Sequence, residues 1–515
     1  MKKHMTQTLV RIGLVLGILI VLNFISIRLF GRLDLTSQGV YTLSDASKKL
    51  VGALDDRVTV KAFFTEDLPS PYNNNRRAVL DILNDYKAYS KGNLQYEFVN
   101  PQGEKGEQDA QQQGIAPVQV QVVNEDKLEV KRGYLGLVMM YEDRKEVLPV
   151  VQNLSSLEYD ISSSLKRLTS KMKKKVGYTT GHGEPEMSAM RQAYQAGMQQ
   201  YDLMPVDLSK GEPVPSDLSA LLVIAPQSRF QDSAQYQMDQ YLMRGGKIAF
   251  LLNRVNANLQ MRAGQPIDLG LDDMLQHYGV RLNPDLVRDA QCANISVMQQ
   301  QGTFTFQSQV PFPYIPIASG FNTNNPIVKD LQGVIFHFAS SLDTSGAAAR
   351  GLKSEVLVRS SKHSGRQTGV FVIDPFQRYT GADLAEDGIP LAAIVEGSFK
   401  SYFVGKQPAA AVVASPETRI IVVGDGDFMK DEMLGNRGNL TFFANIIDYL
   451  ADDAGLITIR SKNVATLPLD QISDGTKRLL KYTNLIGPPV LIVAYGLFRW
   501  RRRVAFRKAM EAQSL

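Results

Sequence analysis

The sequence predicts an α/β fold, with two extracytoplasmic α/β domains held between two transmembrane helices. Apolar runs lie near both ends of the chain, at 12–27 and 485–498. The residues between them, about 450, are enough for two to four domains. In this middle part, short apolar or alternating segments follow helix-length segments that have one apolar face, which is the pattern of α/β proteins.

The C-terminal apolar run predicts a transmembrane helix over 482–498. The run ends abruptly at a cluster of arginines that surrounds Trp500, which is typical of a span leaving the membrane on its cytoplasmic side. Gly487, Pro488 and Pro489 lie within the run, and a membrane helix tolerates them where neighbouring helices satisfy the backbone. A buried or re-entrant helix is the alternative, because the uninterrupted run is shorter than the ~20 residues of an ordinary span.

The N-terminal run predicts a first transmembrane helix over 12–30, after a cytoplasmic segment at 1–11. A cleaved signal peptide is the alternative, but the run is long for a signal peptide and no small-x-small cleavage site follows it. Two spans place both termini on one side. We therefore expect a bacterial inner-membrane protein with a basic cytoplasmic tail at 499–515 and the bulk of the chain in the periplasm.

The positive charge is concentrated at the two ends of the chain. The formal net charge is +5; residues 1–11 carry +3 and residues 499–515 carry +5, which leaves −3 for the rest. This distribution fits the positive-inside rule and gives no reason to expect a nucleic-acid partner. Cys292 is the only cysteine, so an intrachain disulfide is excluded.

Residues 31–168 predict a small α/β domain of thioredoxin-like type. No cysteine occurs in it, which excludes a dithiol redox role. A basic connector at 166–175 marks its end, and this connector is either a solvated linker or a contact with anionic headgroups or a partner. The expected elements are a helix over 45–54 capped by Ser44, helices over 76–90 and 153–168, and strands over 58–64, 94–99, 118–123, 134–141 and 145–151.

Residues 169–455 predict a larger, doubly wound α/β domain, followed by a membrane-proximal tether at 456–481. The domain opens with a strand, a turn flanked by glycines and a helix, which places the turn at the sheet edge where such folds bind ligands. Residues 294–330 are expected to form a long ordered loop. The other expected elements are helices over 187–200, 233–243, 269–278 and 440–451, loops over 345–351 and 360–367, and strands over 176–180, 221–225, 247–252, 333–339, 355–359, 369–373, 391–396 and 419–423.

Two loops carry the candidate site residues. The first is Gly181, His182, Gly183 and Glu184, in which His182 and Glu184 are either a base or metal pair or satisfy backbone groups of the turn. The second loop, 424–428, contains Asp425 and Asp427. These two aspartates are either ligands of Mg²⁺ or Ca²⁺ or caps of the following turn.

The sequence does not predict catalysis or a nucleotide site. Neither loop is a GxGxxG or Walker A sequence. Cys292 is not preceded by the glycine-rich elbow that a cysteine nucleophile requires. No metal or other cofactor is therefore expected.

Six stretches together resemble a known family, the GldG-type auxiliary components of ABC transporters, which are associated with bacterial gliding motility. They are DLTSQGVYTLS (34–44), VGYTTGHGE (176–184), VEGSFKSYF (395–403), GDGDF (424–428), NRGNLTFFANIIDYLADD (436–453) and LITIRSK (456–462). The resemblance covers nearly the whole chain. It implies a membrane-anchored, non-catalytic protein whose large domain is similar to glutamine amidotransferases in fold, with a separate permease and a cytoplasmic ATPase as partners.

The resemblance leaves the cargo open. The predicted topology adds one expectation, that Gly487, Pro488, Pro489 and Trp500 of the second anchor contact the permease. Two other functions stay open beside the auxiliary role. One is a structural module that binds a cell-envelope glycan or protein, and the other is an extracytoplasmic hydrolase that uses the residues of the two loops.

Overall fold

The fold is given by a computed structural model that divides into two compact units, 1–465 and 466–515. The predicted first span at 12–30 lies outside the described residues apart from four positions, and the predicted tether at 456–481 lies outside them up to residue 473. The described residues are 13–14, 17–18, 42–66, 68, 72–124, 127–151, 154–170, 173–301, 304–329, 331, 333–434, 437–451 and 474–512.

The N-terminal part of the first unit is built on a five-stranded sheet. β1 pairs in parallel with β2 and antiparallel with β4, while β3 and β5 both pair with β4. Its elements are helices α1 (Asp45–Gly52), α2 (Tyr72–Tyr89), α3 (Gly103–Gln112) and α4 (Leu157–Thr169), and strands β1 (Val58–Phe64), β2 (Leu94–Val99), β3 (Pro117–Asn124), β4 (Lys127–Tyr141) and β5 (Arg144–Leu148).

Local sequence signals account for several of these elements. The Oγ of Ser44 accepts a hydrogen bond from the backbone N–H of Ser47 at 3.2 Å, which caps α1 as predicted. Burial along the first part of β1 alternates as its sequence does, with Val58 and Val60 buried between half-buried polar residues. Helix α3 was not predicted, because it carries no apolar stripe.

The large domain begins at β6 and contains the remaining elements of the first unit. The helices are α5 (Arg191–Gln200), α6 (Asp232–Met243), α7 (Asp272–His277) and α8 (Arg437–Leu450). The strands are β6 (Lys175–Thr180), β7 (Asp202–Asp207), β8 (Leu218–Ile224), β9 (Ile248–Leu251), β10 (Val255–Asn258), β11 (Ala263–Pro266), β12 (Arg281–Leu282), β13 (Asp285–Asp289), β14 (Cys292–Gln301), β15 (Phe304–Ala318), β16 (Gly320–Phe321), β17 (Val334–Ile335), β18 (Leu342–Asp343), β19 (Lys353–Arg359), β20 (Ser364–Thr368), β21 (Phe371–Val372), β22 (Pro390–Lys400) and β23 (Ala414–Val423).

An eight-stranded mixed sheet forms the centre of this domain. Its strand order is β16-β19-β22-β23-β9-β8-β6-β7, and the five strands from β23 to β7 are parallel. Alternate strand residues pack on opposite faces: Leu222 joins a core with Phe442 of α8, whereas Val223 joins a core with Met238 of α6. Helices thus cover both faces of the sheet, as the predicted apolar parallel strands require.

The prediction of a long ordered loop over 294–330 is wrong. β14 and β15 form an antiparallel hairpin that pairs continuously from Asn294 with Pro311 to Gln301 with Phe304. The hairpin is rich in polar residues, and Met298 on it is 70% exposed. Its buried aromatic residues, Phe312 and Tyr314, lie only in the last part of β15, so the first part of the segment shows little of the alternation on which strand prediction depends. The predicted loop over 360–367 is also wrong in part, because β20 pairs with β13 there.

The second unit contains one long helix, α9 (Asp474–Ala512), which includes the predicted second span and most of the basic tail. Pro488 and Pro489 lie within it. Large apolar side chains along it, among them Leu485 and Ile492, are exposed. None of the helices in the described part of the chain is both long enough and apolar enough to cross a membrane, so the predicted second span is not confirmed.

Candidate functional site

The carboxyl ends of the parallel strands lie along one edge of the large sheet. The chain passes from β6 to β7 on one side and then crosses to β8 on the other side, so the strand order reverses between β6 and β8. Open α/β sheets bind their ligands outside the carboxyl ends of the strands at such a reversal. The loops that follow β6, β8, β9 and β23 therefore form the candidate site.

A cavity of about 660 Å³ opens at this edge. Each of the four loops contributes to its wall, with Gly183 after β6, Gln227 after β8, Asn253 after β9 and Asp427 after β23. Small-molecule sites in proteins commonly have ~300–1,000 Å³ of space. The two predicted loops, which are far apart in the sequence, thus line one cavity of a size that holds a small molecule.

In the first loop, the histidine and the glutamate face inward. The carboxylate of Glu184 accepts a hydrogen bond from the backbone N–H of His182 at 2.6 Å, and the His182 ring stacks on Phe230 with centroids 4.0 Å apart. The His182 carbonyl accepts the N–H groups of Gln227 and Ser228. The hydrogen bond from the His182 N–H matches the second alternative for this loop, in which Glu184 satisfies a backbone group of the turn.

Both glycines of the first loop have left-handed backbones. Gly181 has φ 97° and Gly183 has φ 76°. A Cβ at Gly181 would also lie 2.5 Å from Oδ1 of Asp207. Glycine is therefore required for the shape of the turn, and only Gly183 reaches the cavity wall.

In the second loop, Asp425 is fully buried and acts as a cap. Its Oδ1 accepts the backbone N–H of Asp427 at 2.6 Å, and its Oδ2 accepts the backbone N–H of His337 at 2.6 Å. Burial raises the pKa of Asp425, and the neighbouring charge of Asp427 adds to the rise. These two hydrogen bonds match the capping alternative for this loop. Among the described residues, no group of three or more His, Cys, Asp or Glu side chains could hold a metal ion.

Four of the charged side chains at the cavity form two ion pairs. Lys430 Nζ lies 2.7 Å from Oδ1 of Asp427, and Arg191 Nε lies 3.6 Å from Oδ2 of Asp431. The Asp431 carboxylate also accepts the backbone N–H of Gln192 at the start of α5. These contacts join the loop after β23 to the helix that follows β6.

His337 is a cavity residue that the sequence did not single out. It lines the cavity, and its Nδ1 is buried with no hydrogen-bond partner among the residues that the structure describes. Burial lowers the pKa of His337 to about 4, so the imidazole is uncharged at neutral pH. No local motif marks this residue, which reaches the site through a segment that runs beside β23, where the Ser340 N–H donates to the Gly424 carbonyl.

Two residues beside the cavity are held in a conformation that favours glycine. Ala225, directly after β8, has φ 42°, and Phe338 in the cavity wall has φ 54°. Such non-glycine outliers cluster at functional sites, because the surrounding structure must hold them there. Hydrolases with a nucleophile elbow carry the nucleophile at a strained strand end of this kind. Here the side chain is the methyl group of Ala225.

The structure thus brings part of the predicted site together. Gly183 and Asp427 line the cavity, whereas Gly181, His182, Glu184 and Asp425 support the loops behind it. Cys292 is the first residue of the β14–β15 hairpin, is half-buried, and has its pKa raised by burial. The other predicted contact residues are on α9, where Trp500 is exposed, and among the described residues no atom beyond the local helix backbone lies within 4 Å of a Cβ added at Gly487.

Comparison with known proteins gives two family matches. Residues 173–452, which span the large domain, match the family described as "ABC-type uncharacterized transport system". Residues 37–140 match a domain of unknown function, DUF7088. An uncharacterized protein of Borreliella burgdorferi is 24% identical over 495 residues, covering 93% of this chain and 94% of that protein.

Similarity to solved structures is low. The N-terminal domain of mmIFT52 aligns with a TM-score of 0.33 at 13% identity, covering 54% of this chain and 97% of that one. An exo-beta-1,4-mannosidase, Op5Man5 from an Opitutaceae bacterium, aligns with a TM-score of 0.22 at 9% identity, covering 60% of this chain and 39% of that one. At these scores neither similarity supports an argument about fold or function.

Proposed function

Because this chain belongs to the family described as ABC-type uncharacterized transport system, we propose that it is a non-catalytic auxiliary subunit of an ABC transport complex. The observation that carries the proposal is the family match over 173–452, which covers the sheet, both layers of helices and the cavity. In this proposal a separate permease and a cytoplasmic ATPase complete the complex. The gliding-motility type of transporter is the specific class that the six sequence stretches favour.

The side chains at the sheet edge support a binding role without catalysis. The strained strand end carries Ala225, which has no nucleophilic atom. Glu184 and Asp425 are both engaged by backbone N–H groups, so neither is placed to act on a ligand in the cavity. In fold terms, we propose that the N-terminal part is thioredoxin-like and that the large domain is amidotransferase-like without that enzyme's chemistry.

We further propose that both chain ends attach the protein to the inner membrane, with the termini in the cytoplasm and the domains in the periplasm. The exposed apolar side chains of α9 support this, because a helix with so much apolar surface needs an apolar cover. Trp500 and the arginines after it have the composition of a membrane interface. In this arrangement Gly487, Pro488 and Pro489 give α9 a surface that fits a permease helix.

The first test is purification of the tagged full-length chain from its own cells in mild detergent, with mass spectrometry of the proteins that accompany it. We expect a permease and an ATPase in stoichiometric amounts. A matched variant, Pro488→Leu/Pro489→Leu, keeps α9 apolar and should reduce recovery of the permease. Recovery of the chain alone from well-solubilised membranes would contradict the auxiliary role and favour an envelope-binding module.

The membrane arrangement has a separate test. Protease added to intact spheroplasts should digest the domains and leave the tail after Trp500 protected. If an antibody epitope fused after residue 515 is digested from outside, the proposed orientation is wrong. This result would leave the partnership with a permease open, because co-purification measures it independently.

A further inference from the structure

The chemistry of the cavity supports an inference beyond the auxiliary role: we propose that the cavity binds an uncharged, hydroxyl-rich ligand, with a sugar ring as its chemical class. The inference rests on the proposed function in one respect, because it treats the large domain as a binding domain and not as an enzyme. The cavity volume of about 660 Å³ suits a ligand of one or two sugar rings.

The charge balance of the cavity disfavours phosphate and nucleotide ligands. Its two cations, Lys430 and Arg191, pair with Asp427 and Asp431, and Glu432 adds a third carboxylate to the wall. The wall therefore carries one more negative than positive charge. A multiply charged anion would have to compete with the paired carboxylates for both cations. The carboxylate of Glu432 would also repel it.

The glycine loop after β6 does not serve as an anion site either. In many α/β proteins the loop between the first strand and its helix binds phosphate through backbone N–H groups. Here the carboxylate of Glu184 accepts the N–H of His182 at 2.6 Å. The protein's own carboxylate thus takes the place that a ligand phosphate would need.

Neutral polar groups make up much of the remaining wall. Gln227 follows β8, Asn253 follows β9 and Asn256 lies on β10, and each has a side-chain amide in the wall. The NH₂ group of Gln227 donates to the Ala225 carbonyl and the Oδ1 of Asn253 accepts the Gly426 N–H, so only the remaining atoms of these two amides face a ligand. Adjacent hydroxyls of a sugar ring also donate and accept, so the exposed amide of Asn256 can bind two of them. The His337 ring beside them is uncharged at neutral pH.

Apolar groups complete the match. Val255, Ala257, Ile267 and the strained Phe338 line the same cavity. Sugar rings have C–H faces that pack on such side chains while their edges form hydrogen bonds. A fully apolar ligand would cover the exposed amide of Asn256 and give it no hydrogen bond, which is unfavourable.

The test is calorimetric titration of the purified full-length protein in detergent. The probes are glucose, N-acetylglucosamine, cellobiose and chitobiose, compared with inorganic phosphate, ATP and triglycine. We expect saturable binding of at least one neutral sugar. Asn256→Ala should weaken it about fivefold, which corresponds to one neutral hydrogen bond. Ala189→Trp should abolish it by filling the cavity.

The matched control is Gln192→Ala. This change also truncates an exposed amide close to the cavity, but Gln192 does not line it and uses only its backbone N–H there. Its affinity for the sugar should equal that of the unchanged protein. Far-UV circular dichroism of each variant establishes that a loss of binding is not a loss of fold.

Three results would overturn the proposal. They are no saturable binding of any of the four sugars, sugar binding that both cavity variants leave unchanged, and tighter binding of ATP, phosphate or triglycine than of any sugar. The outcome is distinct from that of the co-purification experiment. If the chain binds a sugar but is recovered alone, this inference stands and the transport role fails. If the chain is recovered with a permease and an ATPase but binds no sugar, the transport role stands and this inference fails.

Discussion

Asp425→Asn tests how the buried carboxyl at the end of β23 is held. In the folded protein both carboxyl oxygens accept backbone N–H groups, from Asp427 and His337, each at 2.6 Å. An asparagine keeps one of these acceptors and turns an NH₂ group toward the other N–H. One buried backbone donor then lacks a partner, which costs about 1–3 kcal/mol in the free energy of unfolding.

The cost should depend on pH, because the pKa of Asp425 is raised in the folded state by burial and by the charge of Asp427. Above the ordinary aspartate pKa and below the raised value, the folded protein holds a proton that the unfolded chain has released. Stability of the unchanged protein therefore falls as pH rises through this window, by at most about 1.4 kcal/mol per pH unit. Asparagine does not titrate, so the cost of Asp425→Asn should shrink between pH 4.5 and 7.

Urea unfolding followed by far-UV circular dichroism at several pH values measures the difference. Asp387→Asn is the matched control, since it removes an exposed carboxyl and should show no such trend. If the cost of Asp425→Asn is constant or grows with pH, the reasoning fails. That result would mean that the two N–H donors outweigh burial and hold the carboxylate ionised.

The remaining predictions concern packing, a buried polar network and the cavity histidine. Gly424→Ala would bring a Cβ against the carbonyl oxygen of Ser340 and should prevent folding of the large domain. In the control Gly381→Ala, no atom of the described residues around it lies within 4 Å of the added Cβ, so the free energy of unfolding should change by less than about 1 kcal/mol. Protease resistance compares the two, and equal resistance contradicts the packing argument. Asp239→Ala removes a buried carboxylate that accepts four hydrogen bonds. It should lower the free energy of unfolding, measured in urea, by more than about 3 kcal/mol, and a loss under about 1 kcal/mol would contradict the role of this network. The ring signal of His337, assigned by its loss in His337→Gln, should not titrate between pH 5.5 and 8 in NMR spectra, because its pKa is about 4; a midpoint near 6.5 contradicts this.

Part of the candidate site could be predicted from the sequence. A strand followed by a glycine-flanked turn predicts a loop at the carboxyl edge of the sheet, and Gly183 of this loop lies in the cavity wall. The residue type alone did not reveal that His182 turns inward onto Phe230, because that depends on a contact with a residue outside the loop. His337 had no signal at all, since its segment reaches the cavity only by lying against β23.

What the sequence by itself determined is local. The cap at Ser44 and the alternation of β1 follow from hydrogen bonds and residue preferences within a few positions. Only the tertiary structure decided that the loops at Gly183 and Asp427 share one cavity. The order of strands depends on pairing between distant segments, and the amino-acid pattern of a buried parallel strand is similar whichever neighbour it pairs with.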